Sequence, residues 1–215
     1  MIKKILAAAA FGAVAMGAQA STNLLTDGDF ESTGQSFAAS SYCYAGNVPA
    51  PQCNAPSYAI NGWSGNNAVY LQSNSGPWGD PSSQAHAGID LGGVVAGIQS
   101  GGSLVSAFTF TAGDAYTLSW SDAGRNNWGG DQTYTVSAGD TSIGSFTTLG
   151  NGWSTHSFTF VATGADALVF QGLATNDSTS FIDNVSVTAV PEPAALLMMA
   201  VGTLGLLAWR RRTRA

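Results

Sequence analysis

The sequence predicts an all-β protein, a single β-sandwich of jelly-roll form set between an N-terminal signal peptide and a C-terminal transmembrane helix. Three observations carry that expectation. From Ser21 to Val190 the chain is rich in Gly, Ser, Thr, Asn and aromatic residues and poor in Lys, Glu and Leu, a composition suited to pleated, half-buried strands. Short segments of this region alternate apolar and polar residues with period two between turn residues, and none sustains a helical period. At each end of the chain an apolar run lies beside basic residues.

Lys3 and Lys4, the apolar stretch from Ile5 to Met16 and the small-x-small triplet Ala18-Gln19-Ala20 make residues 1–20 a signal peptide, cut after Ala20 to leave Ser21 first. Residues 21–189, about 170 in all, suffice for one domain with a sizeable core. Within them Ser36 to Ser57, with three prolines, and the Gly-, Pro- and Ser-rich stretch Asn74 to Ser83 read as loops. Phe108 to Phe110 and Tyr116 to Trp120 are antiparallel strands around the turn Ala112-Gly113-Asp114. Tyr134 to Ala138 and Ile143 to Phe146 pair across Gly139-Asp140 as a hairpin. Phe158 to Phe160 and Ala167 to Phe170 flank a turn from Ala162 to Asp166, and Phe181 to Val187 is the last strand. Trp63, Trp120 and Trp153 belong to the core. Trp120 ends an alternating strand, and the other two each sit in Asn-Gly-Trp-Ser, a turn leading into a strand.

The only two cysteines, Cys43 and Cys53, fall in the first loop. In an oxidising compartment a disulfide is the expected reading, and closing a loop of about ten residues contributes roughly 2.5–3 kcal/mol. The rival is a catalytic or metal-binding thiol pair, which neither His86 nor His156 accompanies in sequence.

Residues 190–215 form the last unit. Val190-Pro191-Glu192-Pro193 precedes an uncharged run from Ala194 to Trp209, followed by four arginines within Arg210 to Arg214. As a helix the run spans about 24 Å, short for a bilayer core of about 30 Å. Trp209 and the arginines place the C-terminus in the cytoplasm and the domain on the far side of the inner membrane. Pro191 and Pro193 hold an extended segment at the membrane edge, a shape an enzyme can read.

This order of tripeptide, apolar helix and basic end resembles the PEP-CTERM sorting signal of Gram-negative bacteria, over Val190 to Ala215. The resemblance implies recognition of Pro191, Glu192 and Pro193 by an exosortase-like membrane protease. It further implies cleavage near the tripeptide after a transient anchored stage, and delivery to the cell surface or the extracellular matrix. The alternative is an ordinary C-terminal anchor.

Six of the seven basic residues lie in the signal and the tail, leaving Arg125 alone in the exported region. All thirteen carboxylates lie between Ser21 and Pro193, so thirteen negative charges face one positive one, a formal net charge of −12. That balance argues against nucleic acid and against anionic headgroups as partners. It leaves open divalent cation binding, solubility by self-repulsion, or both.

A second resemblance covers most of Asn23 to Thr188. The segment Asn23 to Glu31, Gly62-Trp63, Gly113 to Trp120, Trp153 ahead of Phe158 to Phe160, and Phe181-Ile-Asp-Asn-Val185 follow one another as in galactose-binding-like jelly rolls, a superfamily with many carbohydrate-binding modules. It implies a structural calcium held by Glu31 and Asp183, with Asp29 as an extra ligand. Strand parity also places Asp183 with Phe181, Val185 and Val187 on one face, where an ionised carboxylate needs a partner. The alternative places Asp183 at the strand mouth, accepting backbone N–H groups. Asp122, Asn126, Asn127 and Asp131 fail the EF-hand register because of Arg125, and read as a solvated loop.

Sugar binding needs an exposed aromatic ring beside amide or carboxylate groups. Trp78 and Trp128 lie in Gly-rich polar loops and are the candidate ligand-binding residues, each of which could instead cap a loop onto the core. Enzyme motifs are absent: there is no zinc-protease helix, phosphate loop or nucleophile elbow, and His86 and His156 stand too isolated to define a triad. The expected role is a non-catalytic surface or matrix protein associated with exopolysaccharide. The alternative is a specific calcium-stabilised carbohydrate-binding module.

Overall fold

The computed structural model describes residues 22–31, 42–45, 61–72, 89–125, 132–148, 150, 152–191 and 202–204. Among these residues nine strands form one continuous antiparallel sheet: β1 (Tyr42–Tyr44), β2 (Trp63–Gln72), β3 (Val94–Thr109), β4 (Ala115–Gly124), β5 (Gln132–Ala138), β6 (Thr141–Thr148), β7 (Ser154–Val161), β8 (Ala167–Gly172) and β9 (Thr179–Ala189). The sheet folds back on itself because β3 serves both halves. Its start, Ala96 to Gln99, pairs with β9, and its later part, Ser103 to Val105, pairs with β8. Between them Gln99 to Gly102 lie opposite Asn67 of β2, with Ser100 and Asn67 both at positive φ. That irregularity turns the strand from one layer into the other.

One layer therefore runs β7-β4-β9-β3-β2-β1 and the other β6-β5-β8-β3-β2. Between them lies the main core. Leu118, Trp120, Ile182, Val185 and Val187 from the first layer meet Tyr134, Val136, Leu168 and Phe170 from the second. Trp120 packs edge-on to Phe146 at 5.0 Å and to Phe170 at 5.7 Å, bridging the layers. Each such large apolar side chain, fully buried, contributes about 1.5–3 kcal/mol. Beside the free edges of β6 and β7, Thr141 Oγ1 donates to Val161 O at 3.1 Å and accepts from Thr163 N at 3.1 Å, which brings the sandwich close to a barrel there.

The expected strands lie within these elements except for Phe110, one residue past β3, and β3 and β4, expected as antiparallel neighbours, are separated by β9, which pairs with both. The Gly139-Asp140 hairpin is a two-residue loop with both residues at positive φ. Such a loop matches the twist of its strands. A Cβ on Gly139 would also lie 2.7 Å from the Phe110 Cβ. Trp63, Trp120 and Trp153 are buried, and Trp63 and Trp153 directly precede or open strands as their shared motif suggests. Three further expectations need correction. The segment Ser36 to Ser57 is not all loop, since Tyr42 to Tyr44 form β1 against Val69 to Leu71. A strand of three residues is too short to show period two.

The second correction concerns Asp122, which lies in β4 and is 3% exposed. The strand extends beyond Trp120 because β9 and β7 flank it as far as Gly124 and Asp122. The third concerns β9. Its pairing with β4 shifts between Ser119 and Ser121, where Asn184 takes φ +53°. The extra residue of this bulge reverses strand parity. Phe181 consequently joins a second, smaller apolar cluster with Val69, Leu71, Val95 and Trp153, whereas Ile182, Val185 and Val187 enter the main core. Asp183 shares parity with Phe181 but not with Val185 and Val187.

Candidate functional site

The bulge on β9 positions the first candidate site. Past it, the N-terminal segment runs along β9: Leu24 N donates to Val187 O and Val185 N to Gly28 O, both at 2.8 Å. Asn23 completes the ladder with its side chain, donating from Nδ2 to Val185 O at 3.0 Å and accepting at Oδ1 from Val187 N at 3.0 Å. Gly28 passes so close that a Cβ there would meet Val185 O at 2.0 Å. Trp63 fixes the turn by donating from Nε1 to the carbonyls of Thr26 and Asp27. A groove of about 400 Å³ lies along this junction, lined by Asn23, Asp27, Asp29 and Asn184 among others.

Asp183, 1% exposed, stands beneath this segment. Its Oδ1 accepts from Asn184 N at 2.6 Å, while Oδ2 is buried and has no hydrogen-bond partner. Burial is the main force raising its pKa to about 9, with the charges of Glu31, Asp29 and Asp90 adding to the rise and the Asn184 bond opposing it. Glu31 takes Gly93 N and Val94 N on Oε1, at 2.7 and 2.8 Å. Asp90 is tied to Gly92 N, and its carbonyl accepts from Asn184 Nδ2 at 2.6 Å. The fold thus gathers the three carboxylates named from the sequence and adds Asp90. They lie near enough to act on Asp183, but among the described residues no three His, Cys, Asp or Glu side chains form a ready-made metal set.

A second polar group is buried inside the sandwich. Trp120 Nε1 donates to Tyr134 Oη at 2.7 Å, and Tyr134 donates to Asp122 Oδ2 at 2.5 Å. His156 Nε2 stands 3.0 Å from Asp122 Oδ1, without the alignment of a hydrogen bond. Burial first, then the Asp122 charge, pushes the Tyr134 hydroxyl far above the usual phenol range, so it stays a neutral donor. His156, isolated in sequence, stacks on Trp120 at 4.9 Å. Sequence distance hid this group, since its members come from β4, β5 and β7. Among the described residues no Ser, Thr or Cys side chain is hydrogen-bonded to His156, which packs against Trp120 and Phe146.

The sorting end is the third feature. Val190 N donates to Ala115 O at 2.8 Å, and Pro191 is exposed. Glu192, Pro193, the signal junction Ala20 and Ser21, and the ligand candidates Trp78 and Trp128 lie outside the described residues. Cys43 is buried in β1 and disulfide-bonded, while Cys53 lies outside them. Of the C-terminal tail beyond Pro191, residues 202–204 are described and are helical, and among the described residues no helix is long and apolar enough to cross a membrane.

Residues 189–212 match the PEP-CTERM protein-sorting motif. A search among curated proteins found no match. Among solved structures, TmCBM61 in complex with beta-1,4-galactotriose is similar at 15% identity, with 79% of this chain and 100% of that one covered and a TM-score of 0.43. The K1 cleaved adhesin domain of Lys-gingipain from Porphyromonas gingivalis W83 is similar at 11% identity, covering 61% and 95%, with a TM-score of 0.43. The CBM22-1 xylan-binding domain of Paenibacillus barcinonensis Xyn10C gives 7% identity, 74% and 98% coverage and a TM-score of 0.41. These are distant likenesses of an all-β domain. The chain is thus an all-β sandwich followed by a match to a sorting motif.

Proposed function

We propose that this is an exported protein whose sandwich is anchored in the inner membrane by its tail, cut by an exosortase-like enzyme near Pro191-Glu192-Pro193, and delivered to the cell surface or matrix. There it associates with exopolysaccharide without catalysing a reaction. The observation that carries the reading is the sorting motif, which begins at residue 189, where β9 ends. The folded domain therefore runs to within one residue of the segment to be cut. Residues 1–20 supply the export signal and 194–209 the anchor. Mass spectrometry of the surface-exposed protein tests this: the C-terminus is expected near the tripeptide, and alanines at 191–193 are expected to leave uncut protein in the inner membrane. An intact tail on surface protein would overturn the processing.

A calcium-stabilised carbohydrate-binding module is the second reading, favoured by the orphaned Oδ2 of Asp183. A buried oxygen surrounded by carboxylates and lacking a donor suits a hard cation. Asp183, Glu31 through the Oε2 left free of backbone bonds, and Asp29 are the residues that would hold calcium, which would supply positive charge and tie the N-terminal segment to β9. Trp78 and Trp128 are the proposed ligand platforms.

A further inference from the structure

The outward side of the β1-β2-β3-β9-β4 layer carries a polar chain that neither the sorting motif nor the cation reading uses. Tyr44 Oη donates to Gln99 Oε1 at 2.7 Å, Gln99 Nε2 donates to Asp177 Oδ1 at 2.7 Å, and Arg125 Nη1 stands 3.4 Å from the same Oδ1. These residues come from β1, the bend of β3, the connection before β9 and the end of β4. The fold thus brings four separate parts of the chain to one spot. Tyr42 stands edge-on to Tyr44 with ring centroids 5.5 Å apart, and both rings are half-buried. Arg125, the one basic residue of the exported region, has its side chain 10% exposed along the sheet, whereas that of Asp177 is 56% exposed.

The bonding leaves specific valences unused. Both protein contacts of Asp177 fall on Oδ1, which leaves Oδ2 of this largely exposed side chain as a spare acceptor, and the Gln99 amide keeps a second N–H. An acceptor and a donor side by side, next to partly exposed aromatic rings, match two neighbouring hydroxyls on a sugar with an apolar face. The Arg125 charge is offset by Asp177, which removes the reason for an acidic ligand to prefer the spot. Beneath the array Thr179, opposite Gln99 on β9, keeps a buried Oγ1 without a hydrogen-bond partner. We infer that Tyr42, Tyr44, Gln99, Arg125 and Asp177 form a binding site for a neutral saccharide, an inference that rests on the glycan-associated reading above and gives it a location.

Full-length protein in detergent is titrated with cellotriose, galactotriose and xylotriose as neutral probes and tri-galacturonate as the acidic one, and its retention on exopolysaccharide from the producing cells is measured. At least one neutral probe, or the polysaccharide, is expected to bind. Asp177→Asn and Arg125→Gln are expected to weaken that binding about tenfold or more, and Tyr44→Phe about threefold, with melting temperatures unchanged. Should the charge variants misfold, Tyr44→Phe and Gln99→Met carry the test, since neither alters a charge. Equal binding by wild type and all folded variants overturns the site and leaves the glycan reading standing. Tighter binding of tri-galacturonate than of any neutral probe overturns the ligand class. Failure of wild type to bind any probe or the polysaccharide removes the glycan reading and the site with it.

Discussion

Asp122 and Asp183 are both buried on strands of the same layer, at 3% and 1% exposure, yet their surroundings are opposite. Asp122 accepts the Tyr134 hydroxyl and has His156 at 3.0 Å. Asp183 has one short bond from the next residue's N–H, an orphaned oxygen, and carboxylates for neighbours. A buried carboxylate is tolerated where donors face it and becomes a site of stored repulsion where acids face it. The first aspartate belongs to the architecture of the core. The second has an oxygen that no donor among the described residues reaches.

Alanine at each position is the first way to separate the two. Asp122→Ala leaves the buried Tyr134 hydroxyl without an acceptor and is expected to cost about 3 kcal/mol. That is a fall in melting temperature of about 6–12 °C for a domain of this size. In chelated protein Asp183→Ala removes a group with little to lose and is expected to lie within about 1 kcal/mol of wild type. Equal losses in thermal melts of the two variants would break the contrast.

Cation addition sharpens it next. Calcium at about a hundred times its dissociation constant is expected to stabilise wild type by about 2.7 kcal/mol, and to leave Asp183→Asn unmoved. Differential scanning calorimetry with and without chelator reads both, and an unchanged wild-type melting temperature would count against the cation site.

The third test is a slope with pH. Asp183 has a folded pKa raised to about 9 from a model value of 3.8, with Glu31, Asp29 and Asp90 facing it. The folded state therefore holds the proton more tightly than the unfolded one, and the stabilisation is fully present below about pH 4 and lost as pH rises toward 9. Chelated wild type is expected to lose stability from pH 5 to pH 8 in denaturant titrations relative to Asp183→Asn, and calcium to flatten the difference. A difference that does not vary with pH would show that Asp183 is already ionised without metal.

Much of the fold was legible in the residues. Tyr134 to Ala138 alternates cleanly and is a strand with alternating burial, and Gly139-Asp140 makes the hairpin it suggests. The candidate site was legible in part. Glu31 and Asp183 were legible in a motif, but the bulge that sets Asp183 on the opposite face from Val185 and Val187 is one that no period-two count contains. Parity counting assumes an unbroken strand, and Asn184 at φ +53° breaks it. Strand β1 escaped notice because three residues between loop-like stretches gain their regularity only from Val69 to Leu71.

By itself the sequence determined the chain's chemistry: strands from alternation, turns from Gly and Asp, a single Lys or Arg between residues 21 and 193, and a tail matching the sorting motif. These are local properties, set by neighbours along the chain and by simple counts. Only the tertiary structure decided which polar groups meet. It joined Asp122 to His156, set Asp183 among Glu31, Asp29 and Asp90, and collected Tyr44, Gln99, Asp177 and Arg125 on one face. Those meetings depend on strand order and on shifts of register by one residue, which long-range pairing alone selects.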